Sequence, residues 1–242
     1  MLSFLSCGTY KLTPNECTDL TKFALDTGYT SFDTAVLYKN QTELNQNVVG
    51  LKNIFVTTKI HNKDQLNIKN ATREICQEIN PNLLLLHSPV AGKYVDAWNE
   101  LGQCYQDYDI KYIGVSNFGI EHLNNIMVSG QKPYLNQIEL HPWNYNYQKN
   151  LLLFCQENEI IVQAHTPCKI WSQKYKAGET DLTFSDLLSW YKQINVPIVI
   201  GSKSKENIKT NYDAFLKIAP GVCNKFELYY NENLFLFPKF KF

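Results

Sequence analysis

The sequence predicts an α/β protein built as a closed (β/α)8 TIM barrel, and three observations support this prediction. Eight short apolar, β-branched or aromatic runs, beginning near positions 4, 29, 54, 83, 112, 135, 160 and 197, alternate with segments of helical spacing. Strands that alternate with helices pair in parallel through crossovers. The 242 residues match the ~250 that such a barrel needs. No Gly-x-Gly-x-x-Gly follows the first strand, which counts against a Rossmann fold.

Start signals mark several of the helices between these strands. Thr13-Pro14-Asn15-Glu16 is a capping box with proline at the first helical position, so it predicts the start of the first helix. Thr183 to Asp186 predicts a second capped start, and Ser204 caps the last helix in the same way. These signals separate the predicted strands as a barrel requires.

The chain is expected to form one domain over residues 1–242, because no linker, internal repeat or charge run divides it. Its last segment, from Pro220 to Phe242, is aromatic, and we expect this tail to pack back onto the barrel. The aromatic residues of the tail are Phe226, Tyr229, Tyr230, Phe235, Phe237, Phe240 and Phe242.

Composition excludes several classes of protein. Apolar residues make up 44% of the chain and charged residues 19%, while the net charge of zero offers no basic surface for nucleic acid. The longest apolar runs are far below the ~20 residues that span a bilayer, and the start lacks the pattern of a signal peptide. Seven cysteines without a Cys-x-x-Cys pair indicate neither a disulfide framework nor a metal site. We therefore expect a cytoplasmic protein that acts as a monomer, without contact to membranes.

Polar side chains follow three successive predicted strands. Asp33 and Tyr38 follow the second strand, Lys59 closes the third, and His87 closes the fourth. Barrel enzymes carry their chemistry at this face. A tyrosine serves as a proton donor near neutral pH only if a nearby cation lowers its pKa. Lys59 supplies that cation, and Asp33 is the obvious counter-ion for it.

Several motifs occur in an order that points to one family. They are Asp33-Thr34-Ala35-x-x-Tyr38-x-Asn40, Val56-Thr57-Thr58-Lys59, Leu86-His87-Ser88-Pro89, Ile113-Gly114-Val115-Ser116-Asn117-Phe118 and Asn136-Gln137-Ile138-Glu139-x-His141-Pro142. From about Gly8 to about Asn211 the chain resembles the aldo-keto reductases. The resemblance implies an oxidoreductase that reduces aldehydes or ketones to alcohols by hydride transfer. It also implies that Tyr38 is the general acid and that Lys59 lowers the pKa of Tyr38. Asp33 would hold Lys59 in place, and His87 would orient the carbonyl.

The same resemblance implies a nicotinamide cofactor, with NADPH as the first choice and NADH as the alternative. His165 stands where the family usually has a tyrosine that stacks on the nicotinamide, and Asn207 stands where it commonly has an arginine for the 2′-phosphate. The implied cofactor-binding residues are Thr9, Ser116, Asn117, Gln137, His165, Gly201, Ser202, Lys203, Ser204, Asn207 and Asn211.

The substrate pocket is expected to contain Tyr10, His61, Ser88 and Trp143. His61 and Ser88 stand where the family commonly carries tryptophans, and loops that cover the site are expected to be short after Lys59, after Pro167 and at the C-terminus. We therefore expect small or hydroxylated carbonyl substrates. Two alternatives remain open at this point: a regulatory subunit that binds the cofactor with little turnover, and a scaffold that has lost cofactor binding.

Overall fold

Eight parallel strands close into a barrel in chain order in the computed structural model, which describes residues 1–128, 131–218 and 224–237. The predicted barrel is confirmed, and each strand begins within two residues of its predicted position. The strands are β1 (Leu5–Gly8), β2 (Ser31–Asp33), β3 (Phe55–Ile60), β4 (Leu83–Leu86), β5 (Tyr112–Ser116), β6 (Leu135–Glu139), β7 (Ile161–His165) and β8 (Ile198–Gly201).

The barrel closes between β1 and β8, where Leu5 pairs with Ile198 and Gly8 pairs with Gly201. All four leucines of β4 are fully buried, as expected for a parallel strand that is covered on both faces. Gly114 in β5 allows close strand contact, because a Cβ there would lie 2.5 Å from the carbonyl oxygen of Leu135.

Helices cover the outside of the barrel, and the predicted caps of three of them are present. Thr13 and Thr183 each form a capping box, and the Ser204 hydroxyl accepts a hydrogen bond from the amide of Asn207. The helices are α1 (Pro14–Thr27), α2 (Gln41–Val48), α3 (Ile68–Glu78), α4 (Tyr94–Cys104), α5 (Ile120–Met127), α6 (Tyr145–Glu157), α7 (Lys169–Lys176), α8 (Phe184–Gln193) and α9 (Lys205–Leu216).

Helix α7 is an addition to the regular alternation, because it lies in the connection between β7 and α8. The Trp171 and Tyr175 rings stack one turn apart with centroids 5.4 Å apart, and the Trp171 indole donates to the carbonyl of Leu182 at 2.7 Å. Ile170 is buried beneath the helix. The connection after Pro167, which is predicted to be shorter than is usual in the family the chain resembles, carries a packed helix.

The described part of the C-terminal tail, residues 224–237, lies against the barrel. Phe226 is fully buried, with its ring 5.7 Å from that of Trp143, and the Tyr230 hydroxyl accepts a hydrogen bond from the Trp190 indole at 2.8 Å. Of the tail residues named above, Phe240 and Phe242 lie outside the described residues, as does Cys223. The six described cysteines are unpaired. Among the described helices, none is long and apolar enough to cross a membrane.

Candidate active site

The four predicted catalytic residues line one cavity at the C-terminal face of the barrel. Asp33 ends β2, Tyr38 lies in a short 3₁₀ turn (Val36–Tyr38) that follows it, Lys59 lies near the end of β3, and His87 follows β4 directly. Since all strands are parallel, their carboxyl ends meet at one face, and residues far apart in the chain converge there.

A buried ion pair lies at the floor of this cavity. The Lys59 Nζ is 2.5 Å from Asp33 Oδ1 and also donates to the Thr34 carbonyl at 3.0 Å, and Lys59 is only 1% exposed. The second carboxylate oxygen of Asp33 accepts from the Gln137 amide at 2.7 Å. Burial lowers the pKa of Lys59, but Asp33 and Tyr38 outweigh it and leave the pKa raised. Lys59 is therefore an ammonium at neutral pH.

Tyr38 lies over this ion pair, with the Lys59 Nζ 5.3 Å from its ring centroid. Burial raises the pKa of Tyr38, Lys59 lowers it, Asp33 raises it, and the net pKa is above the ordinary 10. Lys59 thus lowers the pKa of Tyr38, as the sequence predicts, while desolvation is the larger effect and leaves the net pKa raised. The phenol is protonated at neutral pH, which is the form that can donate a proton.

Two aromatic neighbours surround the phenol. The Tyr10 ring centroid is 5.0 Å from that of Tyr38, and the His87 ring meets Tyr38 edge-on at 6.0 Å. Tyr10 is 46% exposed, so it forms the mouth of the cavity, while His87 stands beside the phenol. A carbonyl oxygen that reached Tyr38 would also meet the His87 ring.

The cavity has a volume of about 890 Å³, which is within the range of small-molecule and cofactor sites. It includes most of the cofactor-binding residues that the sequence predicts. Those in the lining are Ser116, Asn117, Gln137, His165, Gly201, Ser202, Lys203, Asn207 and Asn211.

Asn117 is the centre of a hydrogen-bond network in this lining. Its Oδ1 lies 2.8 Å from His165 Nε2, and its Nδ2 donates to the carbonyl of His87 and to the Ser116 hydroxyl, both at 3.0 Å. Burial lowers the pKa of His165 to about 4. The imidazole is therefore neutral at neutral pH, and because Asn117 Oδ1 only accepts, the proton is on Nε2.

Three residues at the cavity have a left-handed backbone although none is glycine. The φ angles are +65° at Lys11, +61° at Asn117 and +56° at Thr166. Thr166 is β-branched, for which this region is especially unfavourable. Such conformations cost on the order of 1–3 kcal/mol each and concentrate at ligand sites. Thr166 is therefore the most strained of the three, since asparagine adopts this region more readily.

The N-terminus of α9 faces the same cavity and fits an anionic group. Free amide groups and the helix dipole favour phosphate there. Gly201 lets β8 lie close to β1 at this point, because a Cβ on it would lie 3.0 Å from the carbonyl oxygen of Gly8. Lys203 adds a cation, although its Nζ is already 2.9 Å from Glu16 in α1. The hydrogen bond from the Thr13 amide and the contact with Lys203 lower the pKa of Glu16.

Two predicted cofactor residues, Thr9 and Ser204, lie outside the cavity lining. Thr9 is fully buried and its hydroxyl is hydrogen bonded to Thr34 and Asn40 at 2.9 Å. Ser204 caps α9. Both therefore support the backbone of the site.

Three of the four predicted pocket residues also lie outside the lining, and this corrects the expectation. Trp143 is fully buried in the core, with Tyr229 at 5.2 Å and Phe226 beside it. The Ser88 hydroxyl accepts from Asn62 at 2.6 Å, and His61 Nδ1 accepts from the amide of Lys63. Of the predicted pocket set, Tyr10 lines the cavity.

Sequence reasoning missed a group of lining residues that come mainly from α7 and the tail. The helical spacing of Trp171 and Tyr175 is a signal that could have revealed α7. Nothing in the sequence, however, distinguishes Phe237 from the other tail phenylalanines as a pocket residue. The missed residues include Leu37, Cys168, Lys169, Trp171, Ser172, Tyr175, Lys176 and Phe237.

Comparison with known proteins agrees with this geometry. The model of the aldo/keto reductase family matches residues 5–181, most of the chain. The chain belongs to this family. It is accordingly an oxidoreductase of a family that acts on carbonyl compounds with a nicotinamide cofactor. Within the described residues, no group of three or more His, Cys, Asp or Glu is arranged to hold a metal ion.

Individual relatives in the aldo-keto reductase family include enzymes named for short dicarbonyls. Glyoxal reductase of Bacillus subtilis is 34% identical over 69% of this chain and 63% of that protein. Methylglyoxal reductase DkgA of Escherichia coli O157:H7 is 28% identical over 87% of this chain and 83% of that protein. A crystal structure of a Gox0644 variant in complex with NADPH superposes with a TM-score of 0.80 at 27% identity, covering 95% of this chain and 88% of the other.

Proposed function

We propose that this aldo-keto reductase reduces small aldehydes or ketones with hydride from NADPH, and that Tyr38 is the general acid. The observation that carries the proposal is the buried Lys59–Asp33 pair beneath a protonated Tyr38, in a cavity that also contains His87. All four groups come from one chain, so the proposed reaction needs no second copy.

The chemistry follows from the charges in this cavity. NADPH, when bound in this cavity, would supply a hydride to the carbonyl carbon. As negative charge develops on the carbonyl oxygen, the Tyr38 hydroxyl donates its proton to that oxygen and becomes a phenolate. The Lys59 ammonium stabilises the phenolate, Asp33 keeps the ammonium in place, and the His87 ring orients the carbonyl beside Tyr38.

The cofactor would be held along the remainder of the cavity. Both amide hydrogens of Gln137 are used inside the barrel, by Asp33 and by Gln163 at 2.8 Å, so Gln137 would meet a carboxamide through its Oε1. Asn117 and Ser116 would contact the same carboxamide, and His165 would lie against the nicotinamide ring. The phosphates would be bound at the N-terminus of α9, where Asn207 replaces a guanidinium. NADPH preference over NADH is therefore modest.

The substrate is proposed to be a short carbonyl compound, such as a dicarbonyl or a sugar aldehyde. Relatives that are named as glyoxal and methylglyoxal reductases support this class. In this chain Tyr10, Leu37 and Phe237 line the same cavity as Tyr38. Their side chains favour a small carbonyl over a bulky steroid.

One experiment tests the function directly. NADPH is titrated into the protein while protein fluorescence is followed, methylglyoxal is then added, and NADPH absorbance is monitored. We expect saturable binding followed by loss of absorbance. Binding without turnover over a panel of aldehydes and ketones would support the regulatory alternative, and no binding would support the scaffold; either result contradicts the proposal. A steroid ketone in the same panel tests the substrate class, because it should have the lower kcat/KM.

A further inference from the structure

Glu139, the last residue of β6, carries a buried carboxylate that the proposed reaction does not use. It is 1% exposed, and its two oxygens accept hydrogen bonds from the amides of Leu236 at 2.6 Å and Phe237 at 3.0 Å. His141 Nε2 lies 3.2 Å from Oε1 as a third partner. A buried charge is costly unless it is paired and hydrogen bonded. Two of its three partners belong to the C-terminal tail, so the tail and this carboxylate depend on each other.

The tail amides hold a segment that reaches the active site. We call residues 224–237 the C-terminal strap. The Leu234 amide donates to the carbonyl of Trp143 at 3.0 Å, which fixes the strap two residues before the Glu139 contacts. Phe237, at the end of the described strap, lines the cavity, and its ring meets that of His165 edge-on at 6.0 Å. Glu139 thus fastens the strap where the strap becomes a wall of the cavity.

The charge state of Glu139 suits this task. Burial raises the pKa of Glu139, but the hydrogen bonds from His141 and from the Leu236 and Phe237 amides outweigh it, and the net pKa is below its ordinary value. The carboxylate is ionised at neutral pH and accepts all of these hydrogen bonds. Hydrogen bonds to a charged acceptor are about twice as strong as neutral ones.

We propose that Glu139 is a positioning residue that fastens the end of the C-terminal strap at the cavity, so that Phe237 limits the size of the carbonyl substrate. This inference rests on the proposed function for its effect on substrates. The fastening itself is a separate physical claim, which can be measured without turnover.

The fastening is tested by hydrogen exchange in Glu139→Gln. A glutamine keeps the size of the side chain but has one acceptor oxygen in place of two, so the amides of Leu236 and Phe237 should exchange roughly tenfold faster or more, the factor for losing a hydrogen bond to a charged group. Glu227→Gln is the matched control, since it makes the same charge change at an exposed strap position. Peptides from β4 report on global stability. If the strap peptides exchange at the wild-type rate in Glu139→Gln, the inference is wrong.

The effect on substrates is tested with a double-mutant cycle. Kinetics of Glu139→Gln, Phe237→Ala and the double variant are compared for methylglyoxal and for a bulky aromatic aldehyde. Each single variant should raise the kcat/KM ratio of bulky to small substrate, mainly through the KM of the bulky one. The double variant should gain no more than Phe237→Ala alone, because freeing the strap has no further effect once the ring is gone.

Independent effects of the two changes, or an unchanged ratio in Glu139→Gln despite faster exchange, would overturn the role in substrate size. If Glu139→Gln does not fold, Leu236→Pro removes one strap amide, together with the Leu236 side chain that packs against the core. The Phe237 amide should then exchange faster, and the kcat/KM ratio of bulky to small substrate should rise. Absence of turnover in the wild type would refute the proposed function, and with it the effect on substrates. The exchange rates would still decide whether Glu139 fastens the strap.

Discussion

Replacing Lys59 by methionine removes the ammonium beneath Tyr38 while keeping an unbranched side chain of similar length. The Nζ lies 5.3 Å from the Tyr38 ring centroid. At an effective dielectric constant of about 20, a unit charge at that distance stabilises a full phenolate by about 3 kcal/mol. A loss of this size in the transition state corresponds to roughly a 100-fold fall in kcat. We expect kcat to fall by this order.

The pH profile of the Lys59→Met variant provides a second measurement. Tyr38 must be protonated to donate, so reduction slows as pH rises through the pKa of Tyr38. Lys59 lowers that pKa, which burial has raised. Removing the cation therefore moves the alkaline limb of kcat against pH to higher pH. A limb that moved to lower pH, or a kcat within twofold of wild type, would refute the assigned role of Lys59.

A control separates this electrostatic effect from loss of stability. Lys59→Met leaves the Asp33 carboxylate buried without its cation, and breaking a buried pair costs about 3–5 kcal/mol of folding stability. The double variant Asp33→Asn/Lys59→Met removes both charges, so we expect its melting temperature to recover while kcat stays low. Recovery of both quantities together would mean that Lys59 acts only through stability.

Three further predictions concern the cofactor and the core. Asn207→Arg should raise the affinity for 2′,5′-ADP over 5′-AMP by tenfold or more, roughly the value of one charge-assisted hydrogen bond; equal affinities in calorimetry would contradict the assignment of α9. Glu16→Gln frees Lys203 and should raise the preference for 2′,5′-ADP over 5′-AMP severalfold. Adding 0.5 M salt should remove this gain, because it shortens the Debye length to roughly a few ångströms. Trp143→Phe should lower the melting temperature and leave the kcat/KM ratio of bulky to small aldehydes unchanged, because Trp143 lies in the core. A changed ratio would mean that Trp143 belongs to the substrate pocket.

The barrel and the centre of the candidate site could be predicted from the sequence because both depend on local patterns. Apolar runs such as Leu83–Leu86 mark strands directly. Once eight parallel strands close, topology alone brings the residues at their ends together. Asp33, Lys59 and His87 therefore meet around one cavity although they lie on, or directly after, three different strands.

The rest depends on packing at a distance, which the sequence does not encode locally. Trp143 follows a strand as a pocket residue would, but Phe226 and Tyr229 from the tail cover it. Phe237 lines the cavity, and its amide donates to Glu139, which lies 98 positions earlier in the chain. The net pKa of Tyr38 required the depth of its burial, which no motif gives.

The kinetics and cofactor binding of Tyr38→Phe test the central claim most directly. The substitution keeps the ring and removes only the hydroxyl that is proposed to donate the proton. Loss of a general acid typically costs about 10²–10⁴ in rate. We predict a fall in kcat of this order for methylglyoxal, with an unchanged dissociation constant for NADPH. Turnover within a few-fold of wild type, with NADPH still bound, would show that Tyr38 is not the acid.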